Sequence, residues 1–172
     1  MKRGAIVLLV LAALHFALSP FLTVYQIRSA AERRDGEALA EHVEFPTLRQ
    51  DLKDQLNVAL GQSVAEEMED NPFAALGGLL AGVIIDKMVD AYVTPAGLTQ
   101  LMQGEVLQDA RTTGGSTSEP GERPLEGAPY RYEAWDRFSV TVTDEDGEDV
   151  KFILRRRSLG WKLTGIRLPL AN

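Results

Sequence analysis

Hydrophobic residues fall along this chain in three regimes. Residues 5–27 form an almost unbroken apolar run, AIVLLVLAALHFALSPFLTVYQI, which follows Lys2 and Arg3 and ends at Arg28. From there to about residue 110, apolar positions recur three and four apart, the period of a helix buried on one side. From residue 130 onward they alternate, the period of a strand. The pattern predicts an α+β protein: an N-terminal membrane or signal helix, then four to five helices packed on a C-terminal antiparallel sheet of three to four strands.

Two readings fit the first run. A cleaved signal peptide needs a basic start, an apolar core and a small-residue cleavage site. Lys2 and Arg3 supply the start, and Ala17-Leu18-Ser19 could supply a site after Ser19, although Pro20 is a poor neighbour for cleavage. An uncleaved anchor needs about 20 mostly apolar residues, which 5–27 provide, and this reading is favoured. An intermediate form places 5–19 in the bilayer and lets Pro20 open a second helix at the interface. Positive charge flanks both ends, with Lys2 and Arg3 before the run and Arg28, Arg33 and Arg34 after it. The signal-like start favours a cytoplasmic N-terminus, a bacterial inner-membrane location and a domain on the periplasmic side.

Helical periodicity continues over 21–34, ending at Asp35-Gly36, and over a short 37–43 stretch that Phe45-Pro46 closes. A longer helix is predicted over 47–68, with Leu48, Leu52, Leu56 and Val64 as its stripe. Asn71-Pro72 is a cap followed by a first-turn proline, and it introduces the helix 73–93. Residues 73–85 carry no charge, yet they are too few to cross a bilayer. The expectation is therefore a central helix sheathed by the others. Gly78 and Gly82 give it a G-x-x-x-G spacing that lets a neighbouring element approach closely. Thr94-Pro95 restarts a helix over 96–103, which 105–110 could extend.

Residues 111–129, RTTGGSTSEPGERPLEGAP, are rich in Gly, Pro, Ser and Thr and read as a flexible linker loop. The sheet follows over 130–172: alternation at 130–134 and 138–142, an Asp146-Gly147 turn signal, a return at 150–154, and a last strand at 161–168 whose phase shifts near Gly165. Residues 28–172 are read as one domain: a helical part over 28–110, the linker, and the meander packed on the helices.

Composition narrows the chemistry. The chain has 172 residues, no cysteine and a net charge of −7. Acidity of this degree argues against nucleic-acid partners, since that binding needs basic surface. The acidic stretch 144–149 fails as a calcium loop: counting from Asp144, glycine falls fourth rather than sixth and Arg155 stands where the closing glutamate belongs. His42, between Glu41 and Glu44, is the one histidine outside the apolar run, so no second histidine accompanies it to build a metal site or activate a serine. No catalytic, cofactor or metal residues are assigned. Lys151, Arg155, Arg156, Arg157, Lys162 and Arg167 make the C-terminus basic, most simply as a charged outer sheet face.

Three stretches, SPFLTVYQIRSAAERRDGEALAEHVEFPTLRQDLKDQL, NPFAALGGLLAG with VTPAGL, and WKLTGIRLP, resemble the uncharacterised bacterial family called domain of unknown function 2939. The resemblance implies a bacterial envelope protein and carries over no catalytic residues. The order of helices before a meander is also similar to nuclear-transport-factor-2-like folds, although those insert a strand between helices and none is read here. Three functions are weighed. The first is a module that binds an apolar ligand, or another envelope protein, between the 73–93 helix and the sheet; Gly78, Gly82, Tyr130, Tyr132, Trp135 and Trp161 are its candidate pocket residues. The second is a tether at the membrane surface, and the third an enzyme using carboxylates with His42.

Overall fold

A computed structural model describes residues 2–68, 71, 73–103, 128–143, 147–158 and 160–169, with the backbone alone for 2–5, 11–13 and 101–103. The expected linker 111–129 up to residue 127, the 105–110 extension and the acidic 144–146 lie outside the described residues. Among those described, five helices precede four strands, and no strand interrupts the helices. They are α1 Lys2–Glu32, α2 Gly36–Ala40, α3 Phe45–Glu67, α4 Ala74–Tyr92 and α5 Pro95–Gln103. The strands β1 Tyr130–Ala134, β2 Arg137–Thr143, β3 Asp149–Arg157 and β4 Gly160–Arg167 form one antiparallel sheet in the order β1-β2-β3-β4. The α+β expectation holds, with the fourth strand present.

Sequence-level stops and starts mostly act where expected. The Asp35 carboxylate caps α2 by accepting from the Ala38 N–H at 3.0 Å. Thr94 Oγ1 accepts from the Gly97 N–H at 3.0 Å, just ahead of Pro95 at the start of α5. Gly147 takes φ +81° between β2 and β3, a conformation open to glycine at no steric cost. The phase shift in β4 is a bulge: Ile153 pairs with Gly165 and Leu154 with Leu163, leaving Thr164 unpaired.

Pro20 departs from expectation. It does not open a new helix but lies inside α1, which runs unbroken for 31 residues. Proline has no N–H, so the Phe16 carbonyl one turn back loses its ordinary donor, a defect that costs about 3 kcal/mol in an exposed helix. Here two other donors fill the gap. Ser19 Oγ donates to Phe16 O at 2.9 Å, and Arg156 Nη2, reaching from β3, donates to the same oxygen at 3.0 Å. Ser19 Oγ in turn accepts from the Trp161 indole N–H at 2.9 Å, and the Tyr132 hydroxyl donates to the Ala17 carbonyl at 2.7 Å. The Arg156 guanidinium lies over the Phe16 ring, 3.4 Å from its centroid, and 4.7 Å from that of Trp161. The proline defect thus becomes the point at which the sheet grips α1.

This grip divides α1 by environment. From Ser19 onward one face of it joins the core: Ser19, Pro20, Thr23, Val24 and Ala30 are buried, and Val24 clusters with Phe138, Val140, Leu154 and Trp161, while Leu22 and Tyr25 on the other face stay exposed. Phe21 meets the Phe138 ring edge-on at 5.1 Å. Before Ser19, the side chains of Ile6, Val7, Leu8, Leu9, Val10, Leu14, Phe16 and Leu18 are exposed. Helix α1 is long and apolar enough, by length and composition, to cross a membrane or to serve as a signal sequence.

Helix α3 lies along β4. At the start of β4, Arg157 from the end of β3 forks onto Glu44, the residue before α3, with Nη2 2.6 Å from Oε2. Asp51 accepts from the Ile166 N–H and pairs with Arg167 at the other end, where Gln55 Nε2 donates to Ile166 O at 2.6 Å. Residues 42–44 add a short parallel bridge: the Glu44 N–H donates to Leu163 O and the Leu163 N–H to His42 O, at 2.9 and 2.7 Å. The β4 edge is therefore covered.

The expectation for α4 is overturned. It is not a sheathed central helix. Only Ala74 and Val89 are buried along its length, and Leu76, Leu79, Leu80, Val83, Ile84 and Met88 are exposed. The reason is that one neighbour alone, α3, covers it over most of its length. A Cβ on Gly78 would stand 2.5 Å from Val64 Cγ2, and one on Gly82 would stand 3.3 Å from Asn57 Oδ1. The glycine spacing is spent on a close α3–α4 hairpin, and the bulky face looks outward.

Ser19→Ala tests the grip on α1. It leaves a buried indole N–H unpaired, so stability is expected to fall by about 1–3 kcal/mol, lowering Tm by roughly 2–4 °C per kcal/mol. Circular-dichroism melting of the full chain measures it.

Candidate ligand-binding cavity

The helices do not close fully on the sheet. Between them lies a cavity of about 380 Å³. Its floor is the inner sheet face, from Val140, Phe152, Leu154, Leu163 and Ile166. Val24, Ile27 and Ala31 of α1 form one wall, and Leu48 and Leu52 of α3, with Val43 and Phe45, form another. Leu39 of α2, Tyr92, Val93 and Thr94 at the α4–α5 junction, and Leu98 of α5 close the roof. Each residue arrives there by periodicity already visible in the chain: Ile27 and Ala31 are one turn apart on α1, as are Leu48 and Leu52 on α3.

The roof depends on one close approach. A Cβ on Gly36 would collide with the Thr99 backbone, so only glycine lets α2 and α5 cross there. The lining surface is entirely apolar. The Thr94 hydroxyl is engaged by its own cap, accepting from Gly97 N and donating to Ala91 O at 3.3 Å. Among the described residues that line it, none carries a charge. A hydrocarbon fits such a surface, and space of this size lies within the range of small-molecule sites.

Residues 9–101, more than half of the chain, match the model of a family described as protein of unknown function DUF2939. The chain belongs to that family. The match ends within α5, so the DUF2939 region contributes α1 to α5 and the cavity's walls and roof, while the sheet that floors it lies beyond the matched residues. No curated protein and no solved structure matches the chain.

None of the six candidate pocket residues lines this cavity of the DUF2939 chain. Gly78 and Gly82 face α3. Tyr130, Tyr132 and Trp161 join Phe21 and Phe138 in an aromatic cluster between α1 and the sheet. Trp135 stands 71% exposed on the β1–β2 turn, next to Asp136, whose carbonyl accepts from the Arg156 N–H. Composition favoured the large aromatics, whereas the cavity is lined mainly by aliphatic residues. Their spacing marked them as core without marking that the core is incompletely filled.

His42 is half-buried where α2 meets β4. Burial, then the neighbouring Lys162 ammonium, pushes its pKa below the ordinary value, against an opposing pull from Glu41. Among the described residues no group of three His, Asp or Glu side chains could hold a metal ion. The basic residues of the sheet are largely engaged. Arg156 holds α1, Arg157 holds Glu44, Arg167 pairs with Asp51, Lys162 donates to the Glu41 carbonyl, and Lys151 lies 3.5 Å from Glu133.

Acid should weaken the join at His42. Its folded pKa is depressed, so the unfolded chain takes up the proton first. The contribution is complete above about 6.5, the ordinary histidine value, and is lost as pH falls through the folded pKa. Tm should therefore drop on acidification below that value, and His42→Asn should flatten this part of the Tm-against-pH curve. Separately, Gly36→Ala should cost about 1–3 kcal/mol, read as a lower denaturation midpoint, because the roof helices must part.

Proposed function

We propose that this DUF2939 protein is a membrane-anchored domain of the bacterial envelope that binds an apolar ligand, a hydrocarbon chain, in the cavity between α1, α3, α5 and the sheet. The wholly apolar, 380 Å³ space carries the reading. The exposed wall offers no polar surface, so water there finds no hydrogen-bond partner, whereas a hydrocarbon chain takes apolar surface of both partners out of water.

The anchor reading rests on α1. Residues 2–18 give about 25 Å of helix at 1.5 Å per residue, close to the shortest length that spans a bilayer. Their far end carries Lys2 and Arg3, which can reach back to headgroups. Their near end meets Tyr132 and Arg156, and Trp135 stands exposed on the β1–β2 turn beside Asp136, which bonds the Arg156 backbone; such side chains suit the membrane–water boundary. In this reading the N-terminus lies in the cytoplasm and the domain on the periplasmic side. Such a domain would receive its ligand from, or return it to, the adjoining lipid.

The test uses full-length chain in mild detergent with palmitate as the probe. One palmitate should bind per chain in native mass spectrometry and raise Tm. Ala31→Phe, which fills the space, should weaken binding at least tenfold while stabilising the empty protein by about 0.5–2 kcal/mol. No palmitate adduct, together with a destabilised Ala31→Phe variant, would show that the site is too tight to be a binding cavity.

A further inference from the structure

The largest surface left unexplained by the cavity is the outer face of α4. Phe73, Leu76, Leu79, Leu80, Val83, Ile84 and Met88 are each 53–72% exposed. Seven large side chains exposed to this degree present on the order of 800 Å² of apolar surface, the area one partner contributes to a standard interface. That exceeds the roughly 300–600 Å² of the largest patch on a typical monomer.

The bilayer around α1 is badly placed to cover this face. Helix α1 leaves the domain at the Trp161 end of β4, where Arg156 and Ser19 hold it. Helix α3 leaves at the other end, past Asp51 and Gln55 beside Ile166 and Arg167. These ends are roughly 20 Å apart at 3.3 Å per strand residue. Residues 56–67 of α3 then carry the hairpin about 18 Å farther at 1.5 Å per residue. The exposed half of α4 packs on this projecting part, with Gly78 against Val64 and Gly82 against Leu60 and Asn57.

The order of side chains on the face favours one occupant. Phe73, Leu76, Leu80 and Val83 follow the three-then-four spacing of a coiled-coil seam, flanked by Leu79 and Ile84. Gly78 and Gly82 are turned to α3 and do not interrupt it. We infer that the face is covered by the same face of a second copy, α4 packing beside α4 in parallel about a two-fold axis along the helix. Leu76, Leu80 and Val83 then meet their own counterparts across the axis. A parallel pair puts both α1 exits at the same end of the seam, where a single bilayer can anchor both chains; an antiparallel pair would put them at opposite ends. The charged turn of Asp86, Lys87 and Asp90 ends the seam. Two of its carboxylates are already engaged, Asp86 by Asn57 and Asp90 by Lys53.

The native chain has no cysteine, so single-cysteine variants report cleanly. In membranes carrying the full-length protein, Leu80→Cys and Val83→Cys should give an oxidised species of twice the chain mass, and Gln50→Cys, on the sheet-bound part of α3, should not. In detergent, light scattering should find a two-chain mass for the native protein, and Leu80→Glu should cut the dimer fraction at least tenfold with its circular-dichroism spectrum unchanged. Three results would each overturn the inference: a one-chain mass for the native protein, cross-linking of the Leu80→Cys variant only to other proteins, or quenching by lipid of a fluorescent label attached to that variant's thiol. None of these measurements depends on whether the cavity holds a ligand.

Discussion

One helix serves two environments, and the seat of Pro20 separates them. A proline inside α1 frees the Phe16 carbonyl, and the sheet answers with Arg156 while Ser19 answers from within the helix. The same serine holds the indole of Trp161, among the largest fully buried side chains. Remove this contact and α1 has no fixed exit from the domain. Its buried half would then no longer be positioned over Phe138, Val140 and Leu154. The proline creates the need for a donor, and the need fixes where the helix crosses the sheet.

The cavity follows from that placement. Helix α1 is held at the Trp161 end and α3 is zipped along β4 by Glu44, Asp51 and Gln55. Two helices pinned at separate lines on one sheet leave a space between them, and α2 and α5 roof it without filling it. The Gly36–Thr99 approach sets how low that roof sits. The polar contacts that hold the frame all lie outside the space they enclose, which is why its wall is purely apolar.

Much of this was legible in the chain. The change of period near residue 130 marked the sheet, Thr94-Pro95 marked the start of α5, and the bulge was visible as a slip of alternation in β4. Two features were not. Pro20 reads locally as a helix start, because Arg156, 136 positions away, is invisible to local rules. The charge-free stretch of α4 reads as core because hydrophobicity records what should be covered, not whether the same chain covers it. The cavity was hidden for a related reason: an aliphatic residue facing a void and one facing a neighbour have the same spacing. The candidate aromatics do gather, but around Phe138 and Phe21 at the exit of α1 rather than around the empty space.

The central claim is that the segment proposed to sit in the membrane and the first core element are one uninterrupted helix, so the chain cannot lose residues 1–19 and keep its fold. The intact mass of the protein recovered from cell membranes tests this most directly. We expect the full-length mass, residues 1–19 included, in the membrane fraction. A soluble species beginning at Pro20, with the melting temperature of the full chain, would contradict it.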